Sequence, residues 1–402
     1  MNRRSRVGAL LFLFAVGCGP SLQGRRDAAL PAVRLLQGSE FDKAAEEAKR
    51  VIKADDGNSQ AHAVAALTRY LGAAHHVHVD VLTMGAQIMT GGINDEYFRF
   101  SLTRTLGDLA AVDEDLAKAA MEPQFDMELC IACWKHDWNN NGRVDERDDR
   151  LLEIEVDADG KDLPEGDARR RPTFRFDVGD LWWARAMVSF QRALFEVLLA
   201  YKWEEMSRYA TAGFRGSDAR TITLPLRDKA GITRARQLIL AGLDYADRSR
   251  RAYLAETDDD REWVPNPRQK SHPLPLPVDD ALYQTWDDIT HDLEKLARGE
   301  EGISVTEAAQ LGQHQWATPP RGFINLGHLL NSPGDIVLPV DLDHRVNDAE
   351  SIERALAEVF GEGYVKEMKA THLLTRVERM KKETDRGEDT FARKLRYLFW
   401  LN

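Results

Sequence analysis

Leu181-Trp182-Trp183-Ala184-Arg185-Ala186-Met187-Val188-Ser189-Phe190-Gln191-Arg192-Ala193-Leu194-Phe195-Glu196-Val197-Leu198-Leu199-Ala200-Tyr201-Lys202-Trp203 is the most apolar stretch in the body of this chain. Its polar side chains Arg185, Ser189, Arg192 and Glu196 fall at steps of three and four, which places them on one narrow stripe of a helix. Apart from Gln191, the rest of the circumference is apolar. A helix of this kind belongs at the centre of a helical fold, and its three ionisable residues argue against a lipid-spanning role.

The flanking sequence continues the helical pattern. Residues from about Gln23 to Lys53 read as two helices joined at Gly38, the second carrying Phe41, Ala44, Ala48, Val51 and Ile52 on one face. Asp55-Asp56-Gly57-Asn58 breaks it, and Ala61, Ala65 and Ala66 open another helical run. Further helices are expected from about Glu96 to Met121 and from Ile232 to Glu256, with others starting near Asp279, Ala349 and Thr371. Trp263-Val264-Pro265-Asn266-Pro267 and His272-Pro273-Leu274-Pro275-Leu276-Pro277 cannot be helical and read as an extended connector. Phe323-Ile324-Asn325-Leu326 and Ile336-Val337-Leu338, with Asn331-Ser332-Pro333-Gly334 between them, suggest a small hairpin. The expected fold is mostly α, a solenoid-like bundle of helical hairpins with little β and an inserted EF-hand-like loop.

Composition fits a folded body. Apolar residues make up 43% and charged residues 30% of 402, so a sizeable core is affordable and wholesale disorder is not expected. The formal charge of −12 disfavours a nucleic-acid surface, which needs a cationic field.

The first residues depart from this average. Arg3, Arg4 and Arg6 precede an apolar run from Val7 to Val16, the order of an export signal and too short for a permanent membrane helix. Phe14-Ala15-Val16-Gly17-Cys18 resembles a bacterial lipobox, with Ala15 where leucine is usual. The resemblance implies cleavage before Cys18, diacylation (palmitate or a similar chain) of that cysteine, and a body tethered in the cell envelope. The location implied is the periplasmic side of the outer membrane or the cell surface, since Gly19 is not the aspartate of an inner-membrane retention signal. An acidic body would not adhere to anionic lipid, so the acyl chains would hold it to the membrane. Gly38, Phe41, Ala44, Ala48, Val51-Ile52 and Asp55 resemble one tetratricopeptide-type repeat, and a plain amphipathic hairpin would read the same way.

The most informative chemical motif is Asp137-Trp138-Asn139-Asn140-Asn141-Gly142-Arg143-Val144-Asp145-Glu146-Arg147-Asp148. Asp137, Asn139, Asn141, Asp145 and Asp148 stand at the first, third, fifth, ninth and twelfth places of an oxygen-ligand loop, and Arg143 at the seventh offers its carbonyl. Gly142 is the turn glycine. This resembles an EF-hand loop, more closely the dockerin variant that also ends in Asp, and implies calcium as the ligand. Asp148 in place of a bidentate Glu implies a weaker site than the common EF-hand. Phe125 to His136 is expected as the incoming helix, with Leu151-Leu152 in the outgoing one. Glu155-Val156-Asp157-Ala158-Asp159-Gly160 starts like a second loop and fails at Leu163, Pro164 and Gly166.

Cys130 and Cys133 remain after lipidation and in an oxidising compartment suggest a short disulfide. Redox or zinc chemistry on them is disfavoured, because Asp126 and Glu128 oppose a thiolate and no fourth zinc ligand is evident. His75-His76-Val77-His78 reads as wet histidines rather than a metal pair, and no hydrolase or nucleotide-binding motif occurs.

Residues 1–17 thus read as a leader, 18–122 as a tetratricopeptide-like helical region, and 123–262 as the calcium loop with the central helices. The connector spans 263–278 and a C-terminal helical region 279–402. The functional expectation is a lipid-anchored scaffold or binding protein with room for a protein partner. The alternative is an envelope enzyme whose site is assembled from scattered residues.

Overall fold

The computed structural model describes residues 21–90, 94–138, 141–145, 148, 152–157, 159–211, 221–274, 278–311, 318–339 and 348–384. The leader and Cys18 lie outside them, as does Asn139 of the loop.

The fold is mostly α. Among the described residues twelve α-helices are accompanied by short strands. They begin with α1 (Leu22–Gln37) and α2 (Phe41–Ala54), which form the expected hairpin around Gly38 and bury Ala32, Leu36, Ala44 and Ala48 between them and their neighbours. Next come α3 (Ser59–Thr90) and α4 (Asp95–Ala119), the latter capped by Asn94 accepting the Tyr97 N–H at 3.1 Å. Strand β1 (Asp126–Leu129) pairs antiparallel with β2 (Phe174–Asp177), Met127 facing Phe176 and Glu128 facing Arg175.

The stretch that opens the sequence argument forms α5 (Val178–Ala200). Its start is fixed by a capping box: Asp177 accepts the Gly179 N–H at 2.6 Å and Asp180 accepts the Asp177 N–H at 2.8 Å. Such reciprocal capping satisfies orphan amides that would otherwise be buried unpaired. A short α6 (Glu204–Thr211) and β3 (Thr221–Leu224) lead into α7 (Lys229–Ala255), which packs along α5. Gly242 of α7 permits the close approach, since a Cβ there would lie 2.6 Å from the Phe190 ring.

The polar stripe of α5 faces other helices, as its spacing requires. Arg185 and Arg192 both bind Asp113 of α4, at 2.9 and 3.1 Å, and Glu196 receives two bonds from Arg234 of α7, at 2.9 and 2.8 Å. Arg185 also lies over the Tyr245 ring, 4.1 Å from its centroid. The charges therefore stay paired inside the bundle, where an unpaired one would be costly. Among the described residues no helix is long and apolar enough to cross a membrane.

The remainder comprises α8 (Asp280–Arg298), β4 (Ile303–Ser304), α9 (Val305–Leu311), β5 (Phe323–Ile324), α10 (Leu326–Asn331), β6 (Ile336–Pro339), α11 (Ala349–Phe360), β7 (Tyr364–Val365) and α12 (Leu373–Thr384). The hairpin expected between β5 and β6 does not form. Asn325 accepts the His328 N–H at 2.9 Å and starts a helix in place of a turn, so β6 pairs with β3 while β5 lies between β4 and β7.

One apolar cluster runs from Ala32 to Tyr283, joining the first hairpin, β1, β2, α5 and the connector. The connector is extended but buried: Trp263, Val264 and Leu274 are core residues, and wholly buried Asn266 donates to the Tyr253 carbonyl at 2.8 Å. Each large side chain buried in this way contributes about 1.5–3 kcal/mol.

Candidate metal centre

The loop predicted to bind calcium is shaped by its own side chains. Asp137 accepts backbone N–H groups from Asn141 at 3.0 Å and from Gly142 at 2.7 Å, one on each carboxylate oxygen. Gly142 takes φ +87°, a left-handed conformation that glycine adopts without Cβ strain. Asn141 then accepts the Arg143 N–H at 3.0 Å and donates to Asp145 at 3.0 Å. Asp148, 3% exposed, accepts the Asp145 N–H at 2.9 Å in the manner of a helix cap. A carboxylate oxygen has more than one acceptor direction, so these bonds orient the carboxylates without exhausting them.

Asp137, Asn141, Arg143, Asp145 and Asp148 thus sit in one turn. The three carboxylates do not converge within 4.8 Å of one another, so the loop is shaped but open.

What precedes the loop corrects the sequence reading. Residues Phe125 to His136 are not a helix: β1 covers Asp126–Leu129 and a single 3₁₀ turn covers Ile131–Cys133. The signal was present, for Phe125, Met127, Leu129 and Ile131 alternate with Asp126, Glu128 and Cys130 at the period of a strand, and the former four are buried. Cys130 and Cys133 are joined by a disulfide with Cα atoms 5.3 Å apart. His136 packs edge-on to Trp138 and Phe41, at 4.7 and 5.2 Å between ring centroids, anchoring the loop's first strand of chain to the α1–α2 hairpin. The second acidic run forms its own turn, with Asp157 accepting the Asp159 and Lys161 N–H groups at 3.0 and 2.9 Å.

A different set of carboxylates does converge. Asp177, Glu256 and Glu262 place ligand oxygens within 4.8 Å of one another, the one such group of three among the described residues. Asp177 ends β2, Glu256 follows α7, and Glu262 stands beside β2, where the Arg175 N–H donates to the Arg261 carbonyl at 3.1 Å. Asp180 lies behind them, accepting the Tyr253 hydroxyl at 2.7 Å. Burial, then the bond and charge of Asp177, push Glu256 up to about 11. Burial, then the Asp177 charge, push Glu262 up to about 7. Burial and the same neighbour hold Asp180 well above the usual carboxylate range. Sequence reasoning missed this group because only the run Glu256-Thr257-Asp258-Asp259-Asp260-Arg261-Glu262 is visible locally, and acidic runs are usually solvated turns.

Beside Asp180 lies a cavity of about 90 Å³ walled by apolar side chains that include Leu67, Met127, Phe176, Trp183 and Trp263. Asp180 is the one ionisable carboxylate in its lining. No protein-family model matches this chain, and no curated protein or solved structure matches it.

Proposed function

We propose that this protein is a lipid-anchored scaffold or binding protein of the bacterial cell envelope, stiffened by one structural calcium ion in the loop Asp137–Asp148. The observation that supports the calcium reading is the clamp of Asp137 on the Asn141 and Gly142 amides, which turns the loop at a left-handed glycine. Asp137, Asp145 and Asp148 repel one another without an ion. Calcium would draw them together with Asn139, Asn141 and the Arg143 carbonyl, and its binding energy would become folding energy of the segment. The tether rests on the lipobox-like residues ending in Cys18.

Both parts are open to test. Cells fed a tagged palmitate analogue label the wild-type protein, and the Cys18→Ser variant loses the label and leaves the membrane fraction. An unlabelled wild type removes the anchor. Melting temperature rises with calcium over chelator, and equal melting removes the structural ion.

The enzyme reading has one observation in its favour, the raised proton affinity of Asp180, a buried carboxylate in the cavity lining, a pattern that recurs at active sites. The cavity walls are apolar, which suits packing or an apolar ligand better than a polar reaction. The binding role is therefore preferred.

A further inference from the structure

We infer that Asp177, Glu256 and Glu262 form a second cation site, separate from the loop, that takes a calcium-sized divalent ion. Calcium sits about 2.3–2.6 Å from its oxygens, so two ligands of one ion lie at most about 5 Å apart. The three carboxylates already meet that limit. Magnesium demands a near-ideal octahedron and keeps several waters, whereas calcium accepts an irregular set of carboxylates supplied by the protein. Calcium is therefore the better fit.

The second observation lies in Glu262. It is 3% exposed, and its Oε1 accepts no hydrogen bond. The Oε1 of Glu256 is also buried and accepts none. An acceptor left in this condition costs about 1–3 kcal/mol, and more when it is charged. The nearest cation to Glu262 is Arg175, whose Nη1 is 3.6 Å away and is shared with Asp258. That one guanidinium, shared with Asp258, leaves Glu262 Oε1 without a hydrogen bond, whereas a divalent ion between the three carboxylates would engage that oxygen.

The surroundings fix the ligands. Asp177 is held by the Gly179 N–H on one oxygen and by Asp180, which accepts its backbone N–H. Gln269 donates to Glu256 at 3.1 Å and, through Asn266, ties the connector to the end of α7. Asp177 and Glu256 keep partial exposure, which gives an ion its way in. Binding there would join the start of α5, the end of α7 and the residue that leads into the connector at one point.

Calorimetric titration with calcium on three proteins tests this: wild type, Asp137→Ala/Asp148→Ala, and Glu262→Gln. The inference expects two ions on the wild type and one on each variant. Loss of all binding in the loop variant, with its fold intact by circular dichroism, overturns the second site and leaves the loop. One ion on the wild type, kept in the loop variant and lost in Glu262→Gln, upholds the second site and overturns the loop reading. No binding to wild type overturns both. Should Glu262→Gln fail to fold, Glu256→Gln takes its place. The loop variant's melting decides as well: a calcium-dependent rise supports the site, and equal melting with chelator overturns it.

Discussion

Tyr253 donates its hydroxyl to Asp180 at 2.7 Å, and both side chains are buried. The bond fastens the C-terminal part of α7 to the first turn of α5 and satisfies a carboxylate that would otherwise lack a partner on Oδ1. Tyr253→Phe removes only the oxygen. The variant is expected to lose about 1–3 kcal/mol, the cost of an unsatisfied buried acceptor. Urea unfolding followed by tryptophan fluorescence measures it, and an unchanged midpoint would mean that Asp180 finds another donor.

The contact of α5 with α7 depends on a glycine. A Cβ at Gly242 would meet the Phe190 ring, so Gly242→Ala is expected to destabilise by about 1–3 kcal/mol through overpacking. Gly72 and Gly107, inside α3 and α4, have nothing within 4 Å of an added Cβ. Alanine there should stabilise by about 0.4–1 kcal/mol by restricting the unfolded chain. Thermal unfolding of the three variants checks that opposite signs appear.

The metal-free carboxylate group predicts a pH dependence. Glu262 faces Asp177, Arg175 and Asp258, and its affinity for a proton is raised from an ordinary 4.5 to about 7 on folding. The folded state therefore holds more protons than the unfolded state between those values, and stability falls as pH rises through the window. His136 and His272, whose burial lowers their proton affinity, act in the opposite direction below 6.5. The Glu262 contribution is therefore read as a difference. In chelator, wild type minus Glu262→Gln stability should decrease from pH 4.5 to 7, and a flat difference would contradict the assignment.

The central helix was legible because its polar residues repeat at helical spacing, and the partners Asp113 and Arg234 supply what that stripe demands. The first hairpin was legible through Gly38 and the alanines facing across it. The segment entering the loop Asp137–Asp148 carries only a four-residue strand, so the alternation of Phe125, Met127, Leu129 and Ile131 is too short to stand out against a helical reading. The Asp177 group was out of reach of local reading. Its members come from the end of a strand, the end of a helix and an extended segment, and only the pairing of β2 with the chain at Arg261 brings them together. The buried connector shows a similar limit, since its prolines dictate an extended path and say nothing about whether Trp263 and Leu274 lie in the core or in solvent.

Hydrogen–deuterium exchange across residues 137–148, with calcium and with chelator, tests the central proposal most directly. Calcium is expected to slow exchange of the Asn141 and Gly142 amides that Asp137 holds, and Asp137→Ala should abolish the difference. Identical exchange in calcium and chelator would contradict a structural ion in the loop.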